Sequence, residues 1–198
     1  MLSHLGRVTC LFVIGATVCL IARPISAQRI SQEKQASLNQ ANTLQSLVGE
    51  MSNTLWDYSE IALLEERSAA YLSGLLEEEG FTIQRGVADM PTAFIAEFGS
   101  GSPIIGILAE YDALPNIGNA PVPGRQVRED GWPHGQGCGH NLFGAESVGE
   151  AIAIKQAMQE QRIAGTIRLY GTPAEETVVE KVYIAKVEVF DDLDATIE

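Results

Sequence analysis

A chain of 198 residues with 26 acidic against 13 basic side chains has the length for one domain with one core. Its net charge of −13 makes nucleic acid and anionic lipid poor partners. Three cysteines, Cys10, Cys19 and Cys138, are too few for a disulfide framework.

Residues 1–27 read as a secretory signal peptide. Arg7 precedes an apolar run from Val8 to Ala22, and Ile25-Ser26-Ala27 supplies a small-residue cleavage site. The run is short for a membrane span, so an uncleaved anchor is the weaker alternative. A lipoprotein start at Cys19 is disfavoured because Val18 is not small. Cleavage after Ala27 removes Arg7 and Arg23 but no acidic residue, and it leaves Cys138 as the single thiol of residues 28–198. That exported chain would have no internal disulfide and no stable membrane span.

From Ser31 to Gly80 the spacing is helical, with Leu44, Leu47, Val48 and Met51, then Leu55, Ile61, Leu64, Tyr71, Leu72 and Leu75 at three-to-four intervals. Gly80 is a fitting stop, and Glu77-Glu78-Glu79 reads as a solvated helix end. Three β-like segments follow, Phe81–Arg85, Thr92–Phe98 and Pro103–Ala109. The turn Gly99-Ser100-Gly101-Ser102 predicts that the last two form a hairpin. Ile104-Ile105-Gly106-Ile107-Leu108-Ala109 is nearly continuous in its apolarity, as expected of a strand buried on both faces. It runs directly into Glu110-Tyr111-Asp112, and carboxylates at the exit of a central strand stand where open α/β sheets place their chemistry.

Residues 116–136, rich in Gly and Pro, read as a loop. Leu142 to Gln161 reads as a helix with Leu142, Ala145, Val148, Ile152 and Met158 on its apolar stripe. Thr166–Gly171 reads as a strand, 172–177 as the loop at its end, Val178–Val189 as a helix and Leu193–Glu198 as one more strand. Strands alternating with helices predict a mixed, mostly parallel α/β sheet flanked by helices.

Three short clusters carry the chemistry. Cys138-Gly139-His140 lies in a glycine-rich turn, and a thiolate with a neutral imidazole suits a borderline-soft ion such as zinc. The other two are Glu110-x-Asp112 and Glu175-Glu176. Taken singly each has a plain structural reading, such as a solvated carboxylate pair or a turn-capping aspartate. Together they have a logic. Adjacent residues in an extended segment point opposite ways, so one of Glu175 and Glu176 would hold an ion while its neighbour faces the reacting water. Asp112 can accept the other ring proton of His140 and set its tautomer.

Ala109-Glu110-Tyr111-Asp112-Ala113-Leu114-Pro115, Gly137-Cys138-Gly139-His140-Asn141-Leu142 and Pro173-Ala174-Glu175-Glu176-Thr177 resemble the three signature blocks of the dinuclear-metal aminoacylase/carboxypeptidase amidohydrolases. The aminobenzoyl-glutamate utilisation protein B branch is the best match, and the likeness runs from about Leu44 to the end of the chain. The resemblance implies a zinc-peptidase catalytic domain that binds two divalent ions in full-length members, zinc first with manganese or cobalt as alternatives. It implies Cys138, His140 and Glu176 as metal ligands, Glu175 as general base, and Asp112 as the aspartate that orients a ligand. Glu110 falls where some relatives carry a ligating histidine, which leaves its role open. The reaction implied is hydrolysis of the amide between an acyl or aroyl group and an amino acid such as glutamate, or of a short peptide. Full-length relatives would be homodimers.

The resemblance also implies parts not found here: a lid domain, and two further histidine ligands beyond the glutamate pair. His4, His134 and His140 are the histidines of the chain, and all precede Glu175. His134 is the one substitute to consider, although its Pro/Gly loop suits a rim residue better. Glu180 and Glu188 stand where relatives more often have glycine. The expectation is an N-terminal part of the catalytic domain. It is either a metal-dependent amidohydrolase, whether or not this part is active alone, or a non-catalytic metal- or partner-binding remnant.

Overall fold

The computed structural model describes residues 30–198, so the expected leader at 1–27 lies outside the described residues. The helical stretch before Gly80 is divided into α1 (Gln32–Thr43), α2 (Gln45–Tyr58) and α3 (Glu66–Glu78). Ser59 ends α2 in the left-handed conformation. The Glu60 carboxylate then accepts the Arg67 and Ser68 N–H groups, satisfying free donors at the start of α3.

Strands β1 (Thr82–Arg85), β2 (Phe94–Ser100) and β3 (Ile104–Glu110) precede α4 (His140–Gln161). After it come β4 (Gly165–Thr172), a single helical turn α5 (Glu175–Val178), α6 (Glu180–Lys186) and β5 (Ala195–Ile197). The strands form one mixed sheet in the order β1-β2-β4-β3-β5. Pairs β1/β2 and β2/β4 are antiparallel, whereas β4/β3 and β3/β5 are parallel.

The predicted hairpin is not formed. β2 and β3 run in opposite directions as expected, but β4 inserts between them and pairs with both. The Gly/Ser connection therefore spans two strand spacings, roughly 10 Å. Thr166 at the start of β4 closes the gap, donating its N–H to the Pro103 carbonyl and its hydroxyl to the Gly101 carbonyl. Burial drives the insertion: Ile167, Leu169 and Tyr170 are apolar on both faces, and the slot between β2 and β3 is the place where both faces are covered.

Alternation along the strands divides the core into two clusters. Phe94, Ala96, Ile107, Ala109, Ile167 and Leu169 pack with Met51, Leu55, Leu72 and Ile152 from α2, α3 and α4. Their neighbours Ile95, Leu108 and Tyr170 pack on the other face with Val87, Ile184 and Phe190. Along α4 the predicted stripe holds for Ala145, Val148, Ile152 and Met158, but Leu142 is exposed, because Asn141 and Gly144 take the buried positions of that first turn. Among the described residues no helix is long and apolar enough to cross a membrane.

This topology positions the site. Parallel neighbours β3 and β4 end side by side, with Glu110 opposite Thr172, so the segments after both strands emerge at one edge. α4 starts at the same edge. Gly144 lets it approach β3, since a Cβ there would lie 2.5 Å from the Glu110 carbonyl oxygen.

Candidate metal centre

His140 is brought to the edge by a left-handed turn. Gly139 has φ +96, a conformation that favours glycine, and the chain enters α4 with His140 as its first helical residue. The helix thus begins two residues earlier than the periodicity predicts. The Gln136 side-chain oxygen, accepting the Asn141 N–H, caps one of its free donors. His140 is buried, while Cys138 on the outer side of the turn is exposed.

Asp112 is the hinge of the arrangement. At 1% exposure, its Oδ1 lies 2.8 Å from His140 Nδ1 and its Oδ2 accepts the Glu176 backbone N–H at 2.9 Å. The first contact leaves Nε2 facing the site, as expected from the sequence. The second ties the β4–α5 turn to the end of β3. Glu65 supports the same turn from beneath: its Oε1 accepts the Ala174 N–H at 2.9 Å, and its Oε2 accepts the Thr92 hydroxyl at 3.1 Å. The Tyr111 hydroxyl donates to the Thr92 carbonyl, closing the network.

The expectation that Glu175 and Glu176 lie in an extended segment is corrected. Ala174 is left-handed, with φ +65, and Glu175 and Glu176 open a helical turn. Successive helical residues are about 100° apart rather than opposed. Both carboxylates therefore converge, Glu175 Oε2 and Glu176 Oε1 each lying 4.0 Å from His140 Nε2. They differ in environment, the Glu175 side chain being 37% exposed and that of Glu176 16%.

Among the described residues two sets of side chains could hold an ion: Cys138, His140 and Glu176, and Glu110, His140 and Glu175, each with donor atoms within 4.8 Å of one another. The donors of the first set, a thiol, an imidazole nitrogen and a carboxylate oxygen, are those zinc accepts. Glu176 Oε1 is buried without a hydrogen-bond partner, a costly state for a carboxylate that a cation would relieve. The chain's donors thus fit a divalent ion. Glu110, whose role the sequence left open, falls in the second set with Oε2 3.0 Å from His140 Nε2. His134 belongs to neither set and packs edge-on against Trp132, as suits a rim residue.

The charge balance is consistent with this. Burial pushes the His140 imidazole down, but hydrogen bonds to Asp112 and Glu110 and their charges overcome it and raise its pKa to about 11. Burial likewise works to raise Glu110, yet its hydrogen bonds to His140 and Lys181 hold it at about 2. Each ring nitrogen thus faces a carboxylate, Nδ1 that of Asp112 and Nε2 that of Glu110, and an ion bound at Nε2 would take the place of the proton there.

Sequence reasoning brought together Asp112, Cys138, His140, Glu175 and Glu176, and the structure gathers all five at one edge. It missed Glu65 and Lys181. Neither carries a local signal: Glu65 meets Ala174 across 109 positions of chain.

No family model matches the chain. It is 38% identical over 148 residues to a component of the p-aminobenzoyl-glutamate hydrolase of Escherichia coli K12, covering 75% of this chain and 31% of that protein. It is 26% identical over 181 residues to a Xaa-Arg dipeptidase of Mus musculus, covering 85% and 38% respectively. The chain spans about a third of the length of these curated relatives, 31% and 38%. In fold it is similar to the YXEP protein of Bacillus subtilis, a dinuclear metal binding peptidase of the M20 family, with a TM-score of 0.65 at 24% identity over 78% of this chain and 42% of that one. An aminobenzoyl-glutamate utilization protein of Klebsiella pneumoniae shares the fold at TM-score 0.57 and 14% identity, over 81% and 44%. By the three ordered blocks and the 38% identity over 75% of its length, the chain belongs to the dinuclear-metal aminoacylase/carboxypeptidase amidohydrolases, and its fold is that of a dinuclear metal binding peptidase of the M20 family.

Proposed function

We propose that this chain carries the core of a metal-dependent amidohydrolase centre acting on the amide between an acyl or aroyl group and an amino acid, with p-aminobenzoyl-glutamate as the model substrate. The observation that carries the reading is the convergence of Glu175 and Glu176 on His140 Nε2, one carboxylate 37% exposed and the other 16% exposed beside the thiol. Cys138, His140 and Glu176 would hold the ion, and the thiol favours zinc over manganese or cobalt. When bound, the ion polarises the amide carbonyl and lowers the pKa of a water.

The chain's own residues supply the rest. Asp112 keeps the Nδ1 proton on its side of the ring, so that His140 presents a lone pair at Nε2. Asp112 and Glu65 together fix the turn that carries Glu175 and Glu176. Glu175, the more exposed carboxylate, accepts the water proton at a carboxylate oxygen and returns it to the departing amine nitrogen. The amide C–N bond breaks as the new C–O bond forms, giving a carboxylate and a free amino acid.

Hydrolysis of p-aminobenzoyl-glutamate by the zinc-loaded chain, lost in Glu175→Gln with metal content retained, is the expected result. The second reading is a metal-binding domain without turnover. One feature favours it: among the described residues, His140 is the single imidazole in either candidate set. Zinc bound tightly with no hydrolysis would establish that reading. Export through residues 1–27 belongs to the proposal, and an N-terminus after Ala27 on secreted protein would support it. So does self-association, read by light scattering.

A further inference from the structure

We propose that Lys181 is a tethered cation that occupies Glu110 and so steers the metal ion held by His140 to Cys138 and Glu176. The inference rests on the metal reading of the centre and concerns which of its two ligand sets is used.

The two sets share His140. Its Nδ1 is committed to Asp112, so Nε2 is the one nitrogen either set can use, and a ring nitrogen has one lone pair to give. The sets are therefore alternative seats for the ion that His140 holds. What distinguishes them is Lys181. Its ammonium donates to Glu110 Oε1, and it lies 3.1 Å from Glu198 Oε1 and 3.5 Å from Glu180 Oε1.

Glu180 is completely buried, and neither of its carboxylate oxygens has a hydrogen-bond partner. Lys181 is thus the cation that compensates this carboxylate, and at the same time it ties up the other seat through Glu110. An ion bound by Glu110, His140 and Glu175 would have to displace the ammonium or sit beside it. Displacement strands a buried carboxylate, and adjacency sets two positive charges against each other; both are costly in a buried site. An ion bound by Cys138, His140 and Glu176 leaves the Lys181–Glu110 contact in place. Lys181 is accordingly a positioning residue: it neither binds the ion nor touches substrate.

The experiment is cobalt(II) titration of the full chain, read by the thiolate-to-cobalt charge-transfer absorption, which reports Cys138 ligation without any turnover. The wild type is expected to show this band fully developed when the His140 seat is filled. In Lys181→Met the band per bound cobalt falls, because the freed Glu110 competes for the ion. Lys181→Arg, which keeps the charge, retains it. A double-mutant cycle adds a thermodynamic reading: Cys138→Ser costs about tenfold or more in cobalt affinity in the wild type, the scale of losing a metal-site partner, and distinctly less in Lys181→Met. Lys181→Gln gives the same comparison should the methionine variant fold poorly. An undiminished band in the neutral variants, with an equal Cys138→Ser cost in both backgrounds, overturns the proposal while leaving the metal site standing. Absence of the band in the wild type removes the metal reading and this inference together.

Discussion

Asp112→Asn tests how the centre is held, because it preserves shape and removes one acceptor. The aspartate now accepts two N–H groups, from His140 Nδ1 at 2.8 Å and from the Glu176 backbone at 2.9 Å, in a position that is 1% exposed. An asparagine has one oxygen and one NH₂ to offer the same two partners. If the oxygen keeps the Glu176 N–H, the NH₂ faces the ring and pushes the imidazole into its other tautomer, with the proton on Nε2 where the ion must bind. If the oxygen keeps the ring, the NH₂ opposes a backbone donor, an unmet buried pair that costs about 1–3 kcal/mol of stability. Both arrangements weaken the site, and loss of a partner behind a metal ligand typically reduces affinity by about 10- to 100-fold. Competition titration of zinc against a chromophoric chelator measures this directly, with thermal melting alongside. Zinc affinity within about twofold of wild type would refute the assigned role of Asp112, since even one lost buried hydrogen bond is worth more.

Glu175→Gln is expected to keep zinc and to lose about 10²- to 10⁴-fold in amide hydrolysis, the usual share of a positioned general base, measured as turnover at equal metal content. Gly144→Ala places a Cβ 2.5 Å from the Glu110 carbonyl oxygen and must push α4 off the end of β3. It should destabilise the chain by about 1–3 kcal/mol and weaken zinc binding as well, because His140 moves with the helix; an unaltered melting curve would contradict the close packing. Glu65 carries a pH signature. Burial, partly offset by hydrogen bonds, raises its pKa from 4.5 to about 7. The folded state therefore holds a proton that the unfolded chain releases above pH 4.5. This contribution to stability is full below 4.5, is lost as pH rises toward 7, and amounts to about 3 kcal/mol across the window. In Glu65→Gln, whose amide can still accept from Ala174 and donate to the Thr92 hydroxyl, stability should fall less than in the wild type between pH 5 and 7. Parallel melting profiles for the two proteins would contradict the assignment.

The site was legible where its chemistry is contiguous in the chain. Cys138 and His140 are two positions apart, Glu175 and Glu176 adjacent, and Asp112 lies two residues past the end of the most apolar strand, so residue type and strand ends were enough to pair them. The sheet was legible strand by strand but not in its order. Placing β4 between β2 and β3 depends on burial across the long stretch of chain that separates β3 from β4, whereas the Gly99–Ser102 turn is a local feature that suits a hairpin equally well. The helical turn at Glu175 was missed for a related reason. It is held by Asp112 and Glu65 from distant parts of the chain, and nothing within Pro173-Ala174-Glu175-Glu176 announces the left-handed Ala174. Lys181 stayed hidden because its meaning comes from Glu110, which lies 71 residues away and which the fold brings against it.

The central claim is that Cys138, His140 and Glu176 bind one ion at the edge where β3 and β4 end. A crystal structure of the zinc-loaded chain with anomalous scattering at the zinc edge tests it most directly. The expected result is a peak about 2.3 Å from Cys138 Sγ and about 2.0–2.2 Å from His140 Nε2 and a Glu176 carboxylate oxygen. A zinc peak away from Cys138, or zinc seated on Glu110 and Glu175 with Lys181 displaced, would contradict it.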